Sequence, residues 1–474
     1  MLTLNYANCL SDRVGAHGLD AGTLGPTSDA AKDAARLTKS LAGSRGKGWE
    51  RWRDLPFDPA RSEHLDAVNA VVRKKRGKCD NLVVLGIGGS ALGNIALHAS
   101  LKPATYNLLS RKKRGGPRLF VVDNVDPAYF GSIIRFIREE DPDLERTVFN
   151  VVSKSGETAE TAAQFITIRK LLIDTLGKKK HGKQIVAITD PAHGTMRKIC
   201  DAEGYTTLPV PDGVGGRFSV LSPVGLFSAA MCGIDIAALL DGAAAMDQRC
   251  RSEKLAQNPA AMLATVLVRL GREKGKVNHV MMPYSNGLYL LADWYRQLWA
   301  ESLGKAQSLD GKTVYAGFTP IKALGTTDQH SQVQLYREGP NDKVFCLVSV
   351  DEWGKHDVKI PTGFEVEPIL YLQGSTFASL IAAEKRATEY ALVESERPNL
   401  TIAFPRVDET AVGEFIALWE IATAYAGLML NVDAYNQPAV ETGKVATFGL
   451  MGRAGYDEWK DRVDKALAPT AHTI

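Results

Sequence analysis

From residue 81 onward, short β-branched apolar runs alternate with helix-length stretches. The runs NLVVLGIGG (81–89), RLFVVDN (118–124), TVFNVVS (147–153) and QIVAITD (184–190) predict strands of a parallel sheet joined by helices. Right-handed crossovers then make this a doubly wound sandwich. A second series, VNHVMMPYS (277–285), VFCLVSVD (344–351) and PILYLQ (368–373), again predicts strands, with helices over 287–302 and 375–393. The alanine-rich stretch Ile234 to Gln257 has no strand pattern and is expected to connect the two units. Residues 1–60 carry no strong strand pattern, while 409–430 and 456–467 read as closing helices. The expected architecture is α/β: two αβα sandwiches with parallel sheets, over 61–240 and 258–425, an N-terminal segment (1–60) and a C-terminal helical arm (426–474).

Composition narrows the classes. A net charge of +3 over 474 residues gives no nucleic-acid footprint, and the basic clusters near Lys74, Arg111 and Lys178 read as solvated loops. Six scattered cysteines form no C-x-x-C pair, which suits a reducing cytoplasm better than a disulfide framework or a zinc site. No apolar segment suggests a membrane span, and no leader pattern is present. A cytoplasmic protein with no nucleic-acid or membrane partner is expected.

The chemistry gathers at turns. GIGGSALG (86–93) fits the loose dinucleotide pattern, but residues 91–122 hold no Asp or Glu for a ribose, so a nucleotide cofactor is disfavoured. Gly89, Ser90 and their neighbours still offer backbone N–H groups to an anion or a sugar hydroxyl. VVSKSGETAET (151–161) places Ser153, Ser155, Thr158, Thr161 and Lys154 where a strand hands over to a helix, a donor set that suits a phosphate monoester without a metal. Ordinary helix capping would explain one or two of those hydroxyls. DGVGGRFS (212–219) sets Arg217 among glycines. On the helix 286–305, Leu291, Trp294, Tyr295 and Leu298 form an apolar stripe with Gln297 and Glu301 at its edge. A carboxylate on such a rim is a stronger base than one in water. On this helix alone, an ion pair between Glu301 and Lys305 is the simpler reading. GTTDQH (325–330) brings His330 after a polar turn, suited to proton transfer, and YNQPAVETGK (435–444) brings Gln437, Glu441 and Lys444. The histidines show no metal-binding spacing, so no metal and no cofactor are expected.

Taken in order, the glycine turn, SKSGETAET, GVGGRFS, WAESLGK, GTTDQH and QPAVETGK closely resemble the phosphoglucose isomerase family, from Gly86 to Lys444. The resemblance implies two sugar-isomerase (SIS) domains and an aldose–ketose isomerase acting on glucose 6-phosphate and fructose 6-phosphate through a cis-enediol. It implies that Ser153, Lys154, Ser155 and Thr158 hold the phosphate, with Gly89 and Ser90 nearby. By the same resemblance Glu301 is the base, Arg217 stabilises the enediolate, and Gln297, Gln437 and Lys444 line the site. His330 helps open the ring and reaches the site of a partner subunit, so a homodimer with shared sites is expected. Asn436 and Ala439 depart from the family's usual Asp and Gly, which puts the shape around the sugar in question. Two alternatives stay open: an isomerase that also takes mannose 6-phosphate, with Thr161 and Thr327 beside the C2 hydroxyl, and a non-enzymatic sugar-phosphate sensor.

Overall fold

The computed structural model describes residues 1–470 and 472. Asn81–Leu85 and Thr147–Val152 are buried along their whole length, as strands covered by helices on both faces must be. They form the centre of a five-stranded parallel sheet in the order Arg118–Val122, Asn81–Leu85, Thr147–Val152, Ile185–Thr189, Thr206–Pro209. The first strand therefore lies between the second and the third. Where the winding reverses, the loops beyond the carboxyl ends of the first and third strands diverge and leave a crevice. Leu85 is in register with Val151, so the turns beginning at Gly86 and Ser153 lie side by side.

The second sheet repeats that winding with Asn278–Pro283, Thr319–Lys322, Lys343–Val350 and Asn399–Phe404, all parallel. It is not wholly parallel, however. Thr3–Asn5 adds an antiparallel edge strand along Asn399–Phe404. Three residues are too few to show a period, which is why the N-terminal segment reads as strandless. The short strands Thr206–Pro209, Thr319–Lys322 and Asn399–Phe404 also lie outside the runs singled out from the sequence.

One further expectation is corrected. PILYLQ is not a strand: Glu367–Leu372 forms a 3-10 helix whose Ile369, Leu370 and Tyr371 are exposed. A short apolar run does not reveal its own secondary structure. The stretch Ile234 to Gln257 contains the helix Ile236–Arg249, packed deep against Glu409–Leu430. A Cβ on Gly242 would come within 1.9 Å of the Thr410 carbonyl oxygen, and one on Gly413 within 1.9 Å of that of Leu239. The two backbones touch only because both crossing residues are glycine. Glu409–Leu430 is also the one helix among the described residues long and apolar enough to cross a membrane, and it is buried inside the molecule.

Candidate active site

Arg217 lies in the short 3-10 helix Gly216–Phe218 and is 4% exposed. Its five N–H donors are all engaged. Nε donates to Ser302 Oγ at 2.7 Å, and Nη1 donates to Glu301 Oε1 at 3.0 Å and Gln437 Oε1 at 3.1 Å. Nη2 donates to the carbonyls of Ala434 at 2.7 Å and Asn436 at 3.0 Å. Burial lowers the guanidinium pKa, and the Glu301 carboxylate opposes that shift.

Glu301 comes from the last turn of the helix Tyr289–Leu303, whose stripe of Leu291, Trp294, Tyr295 and Leu298 is buried as the sequence predicts. Its carboxylate does not pair with Lys305. Oε1 faces Arg217 and Oε2 accepts from Gln297 Nε2 at 2.9 Å, while Lys305 Nζ turns back to the main chain. With 27% of its side chain exposed, Glu301 is a partnered carboxylate at the mouth of a crevice. Gln297 Oε1 is buried and has no hydrogen-bond donor among the described residues. An unpaired buried acceptor is costly, so this oxygen is poised to receive an O–H.

Glycines bring these parts together. A Cβ on Gly88, which sits at φ +56°, would lie 3.0 Å from Gln297 Nε2, and one on Gly89 would lie 2.2 Å from the Gly216 carbonyl. The turn after the first strand thus packs directly on the turn that carries Arg217. Ser90 ends the same short turn and is half-buried.

Beside it, the phosphate-loop candidates divide their work. Ser153 Oγ accepts from Gly156 N at 3.0 Å and Ser155 Oγ accepts from Glu157 N at 3.1 Å, so these hydroxyls shape the turn. Thr158 is the N-cap of Ala159–Leu176, yet its side chain makes no capping bond and is available to a ligand. Lys154 Nζ sits 4.8 Å from the centre of the Trp49 ring, a cation–π contact that nothing in the sequence announces across 105 positions. Thr161 is buried in the helix and leaves no open hydroxyl for a second sugar; Thr327 is exposed on another turn.

Two expected residues lie apart. Lys444 is exposed on Glu441–Leu450 and pairs with Glu441 at 2.6 Å. His330, at the end of Thr327–His330, is exposed and has no hydrogen-bond partner among the described residues. Asn436 contributes only its backbone oxygen to Arg217, so the departure from Asp leaves that contact unchanged. The sequence does not mark Ser302, Trp49 or Lys305 as site residues; Ser302 and Lys305 flank the glutamate in WAESLGK, but only the fold shows where their polar atoms go.

The phosphoglucose isomerase family model matches residues 65–454. The chain belongs to the phosphoglucose isomerase family. It is 44% identical over 427 residues to a glucose-6-phosphate isomerase from Carboxydothermus hydrogenoformans, covering 90% of each chain. A glucose-6-phosphate isomerase from Rubrobacter xylanophilus is 45% identical over 400 residues, 84% of this chain and 89% of that one. Among solved structures, a hypothetical protein from Thermus thermophilus superposes with a TM-score of 0.80 at 35% identity, over 95% of this chain and all of that one (100%). The family match takes in every residue of this site except Trp49.

Proposed function

We propose that the chain interconverts glucose 6-phosphate and fructose 6-phosphate, with Glu301 as the single base that moves a proton between C2 and C1. The observation that carries this reading is the Glu301–Arg217 pair at the switch-point crevice, beside a turn built from Ser153, Lys154, Ser155 and Thr158. A phosphate held by that turn, with Gly89 and Ser90 adjoining it, anchors the sugar at a distance from the reacting carbons.

Arg217 has no spare donor, so stabilising an enediolate requires the sugar oxygen to replace an acceptor on Nη1. Gln437, exposed and held by one contact, is the group that yields. Gln297 Oε1 then gains its missing donor from a sugar hydroxyl. Glu301 takes the C2 proton, the cis-enediolate charge falls beside Arg217, and the same carboxyl returns the proton to C1. His330 and Lys444 move the proton between O5 and O1 as the ring opens, after Lys444 leaves Glu441. The reaction is redox-neutral and needs no electron carrier.

The working unit in this reading is a homodimer, each site receiving His330 from the partner. Support comes from the surface next to it. Val358, Phe364, Leu370, Tyr371 and Phe377 are exposed, and Val358 and Phe377 line a cavity of about 410 Å³ together with Thr326, four residues before His330. A second copy covering this apolar face would carry His330 across the axis. Six free, buried cysteines suit the cytoplasm.

The test offers fructose 6-phosphate and mannose 6-phosphate separately to the purified chain, before and after prolonged EDTA treatment. Conversion of the first alone, unaffected by the chelator, is expected. Turnover of both sugars would establish the broader isomerase, no turnover would leave a sugar-phosphate sensor, and loss restored by a divalent cation would overturn the metal-free site.

A further inference from the structure

The helix that carries Glu301 ends at Leu303, and its last carbonyls have no following helical N–H to meet. Gly304 N closes on Ala300 O at 2.8 Å, after which the chain leaves into the strand Lys305–Gln307, paired with Thr313–Ala316. The carbonyls of Glu301 and Ser302 are taken by a side chain instead. Lys305 Nζ folds back and donates to Glu301 O at 2.7 Å and to Ser302 O at 2.8 Å. These two residues are the ones whose side chains set the chemistry, since Glu301 bears the carboxylate and Ser302 Oγ receives Arg217 Nε.

We propose that Lys305 is a positioning residue for the proton transfer, holding the backbone behind both the base and the cation with one buried ammonium. This rests on the reading of Glu301 as the base. A plain helix end is closed by glycine or by water at little cost. Here a lysine only 7% exposed is used, beside a second buried cation, Arg217. Burial first, and the Arg217 charge second, push its pKa down to about 8, while Asp433 and Glu301 offset part of that. Such an arrangement is expensive as a cap. It is sensible as a clamp, because displacing a reacting group by about 1 Å costs on the order of 10²-fold in rate.

The experiment compares Lys305→Met, which keeps length and removes the donors, with Lys305→Arg, which keeps donors, well below the unfolding temperature of each. For Lys305→Met, kcat is expected to fall roughly 10- to 100-fold. KM, and inhibition by a hexitol 6-phosphate that has no carbonyl to isomerise, should stay within about two-fold; Lys305→Arg should recover most of the rate. A Lys305→Met variant that melts earlier yet turns over at the parent rate would reduce Lys305 to a cap and overturn the inference. So would a loss of rate that Lys305→Arg does not relieve. Should Lys305→Met not fold, Lys305→Leu, which also lacks a donor, is read by the same criteria. Glu301→Gln separates the two readings: full activity there removes the base itself, whereas an inactive Glu301→Gln beside a fully active Lys305→Met removes only the clamp.

Discussion

Arg217 without a free donor is a guanidinium waiting for an exchange rather than an open anion site. Of its five partners, Ser302 and the two carbonyls fix the plane of the group, and the two Nη1 partners can change. Replacing Glu301 by Gln keeps that frame and removes the base. Isomerisation should fall at least about 10²-fold while a hexitol 6-phosphate binds as before; near-parent turnover would return Glu301 to the role of an ion-pair partner. The sequence made Glu301, Arg217, Gln297 and Gln437 visible because each sits in a short motif with its neighbours. It left Trp49 invisible because a cation–π contact made across the fold has no local spacing to read. It also misplaced the Lys305 charge: i,i+4 geometry allows a side-chain pair, but an open helix end competes for the same ammonium and wins.

Between elements, the closest tie of the C-terminal arm to the phosphate loop is electrostatic. Arg453 Nη2 donates to Glu157 Oε2 at 3.1 Å, and Glu157 Oε1 also accepts from Thr195 Oγ1 at 3.0 Å. Glu157 lies inside the turn assigned to the substrate phosphate, so its charge must be neutralised for a dianion to enter. Arg453→Met should raise KM by up to about five-fold, the range of one exposed pair, with the effect shrinking in high salt. Adding Glu157→Gln should bring KM back, and failure to do so would show that Arg453 serves only the arm. A second prediction concerns buried imidazoles. His279 Nε2 faces the Lys276 carbonyl and must donate, while Nδ1 accepts from Trp299 Nε1 at 3.1 Å, so no nitrogen is left for a second proton. Burial lowers its pKa to about 3 and that of His98 to about 4. Folded values below the unfolded value mean stability that is full above about pH 6.5 and is lost as the pH falls toward 4. Urea midpoints measured from pH 7 to 4.5 should drop, and His98→Asn should flatten the slope by up to about 1.4 kcal/mol per pH unit; an unchanged slope would remove His98 from this account. Strand type was legible where β-branched residues dominated a run, as in Thr147–Val152 and Ile185–Thr189, and failed for PILYLQ, whose neighbours decide its shape.

Across the whole molecule, two sheets share one winding, but the turn set Ser153, Lys154, Ser155 and Thr158 follows a strand of the first sheet only. Beyond the corresponding strands of the second sheet stand Asp351, Glu352 and Trp353, a poor place for a phosphate. In the proposed dimer the second unit has another task, presenting His330 and the apolar face to a partner. If sites are shared, mixing His330→Ala with Glu301→Gln and allowing subunit exchange should restore activity. Half of the dimers become mixed, and each has one intact site, so about a quarter of parental activity is expected. Tagged chains that exchange without any recovery would rule the shared site out. The alternation of strands and helices was readable from the apolar runs, whereas Thr319–Lys322, Asn399–Phe404 and the edge strand at Thr3–Asn5 were not, and the edge strand has a temporal consequence. Its partner, Asn399–Phe404, is made almost 400 residues later. At roughly 5–20 residues per second, the first strand emerges from the ribosome and waits on the order of 20–80 s with its backbone unpaired. The first sandwich can close during that delay, but the second sheet gains its outer edge only once Asn399–Phe404 has been made.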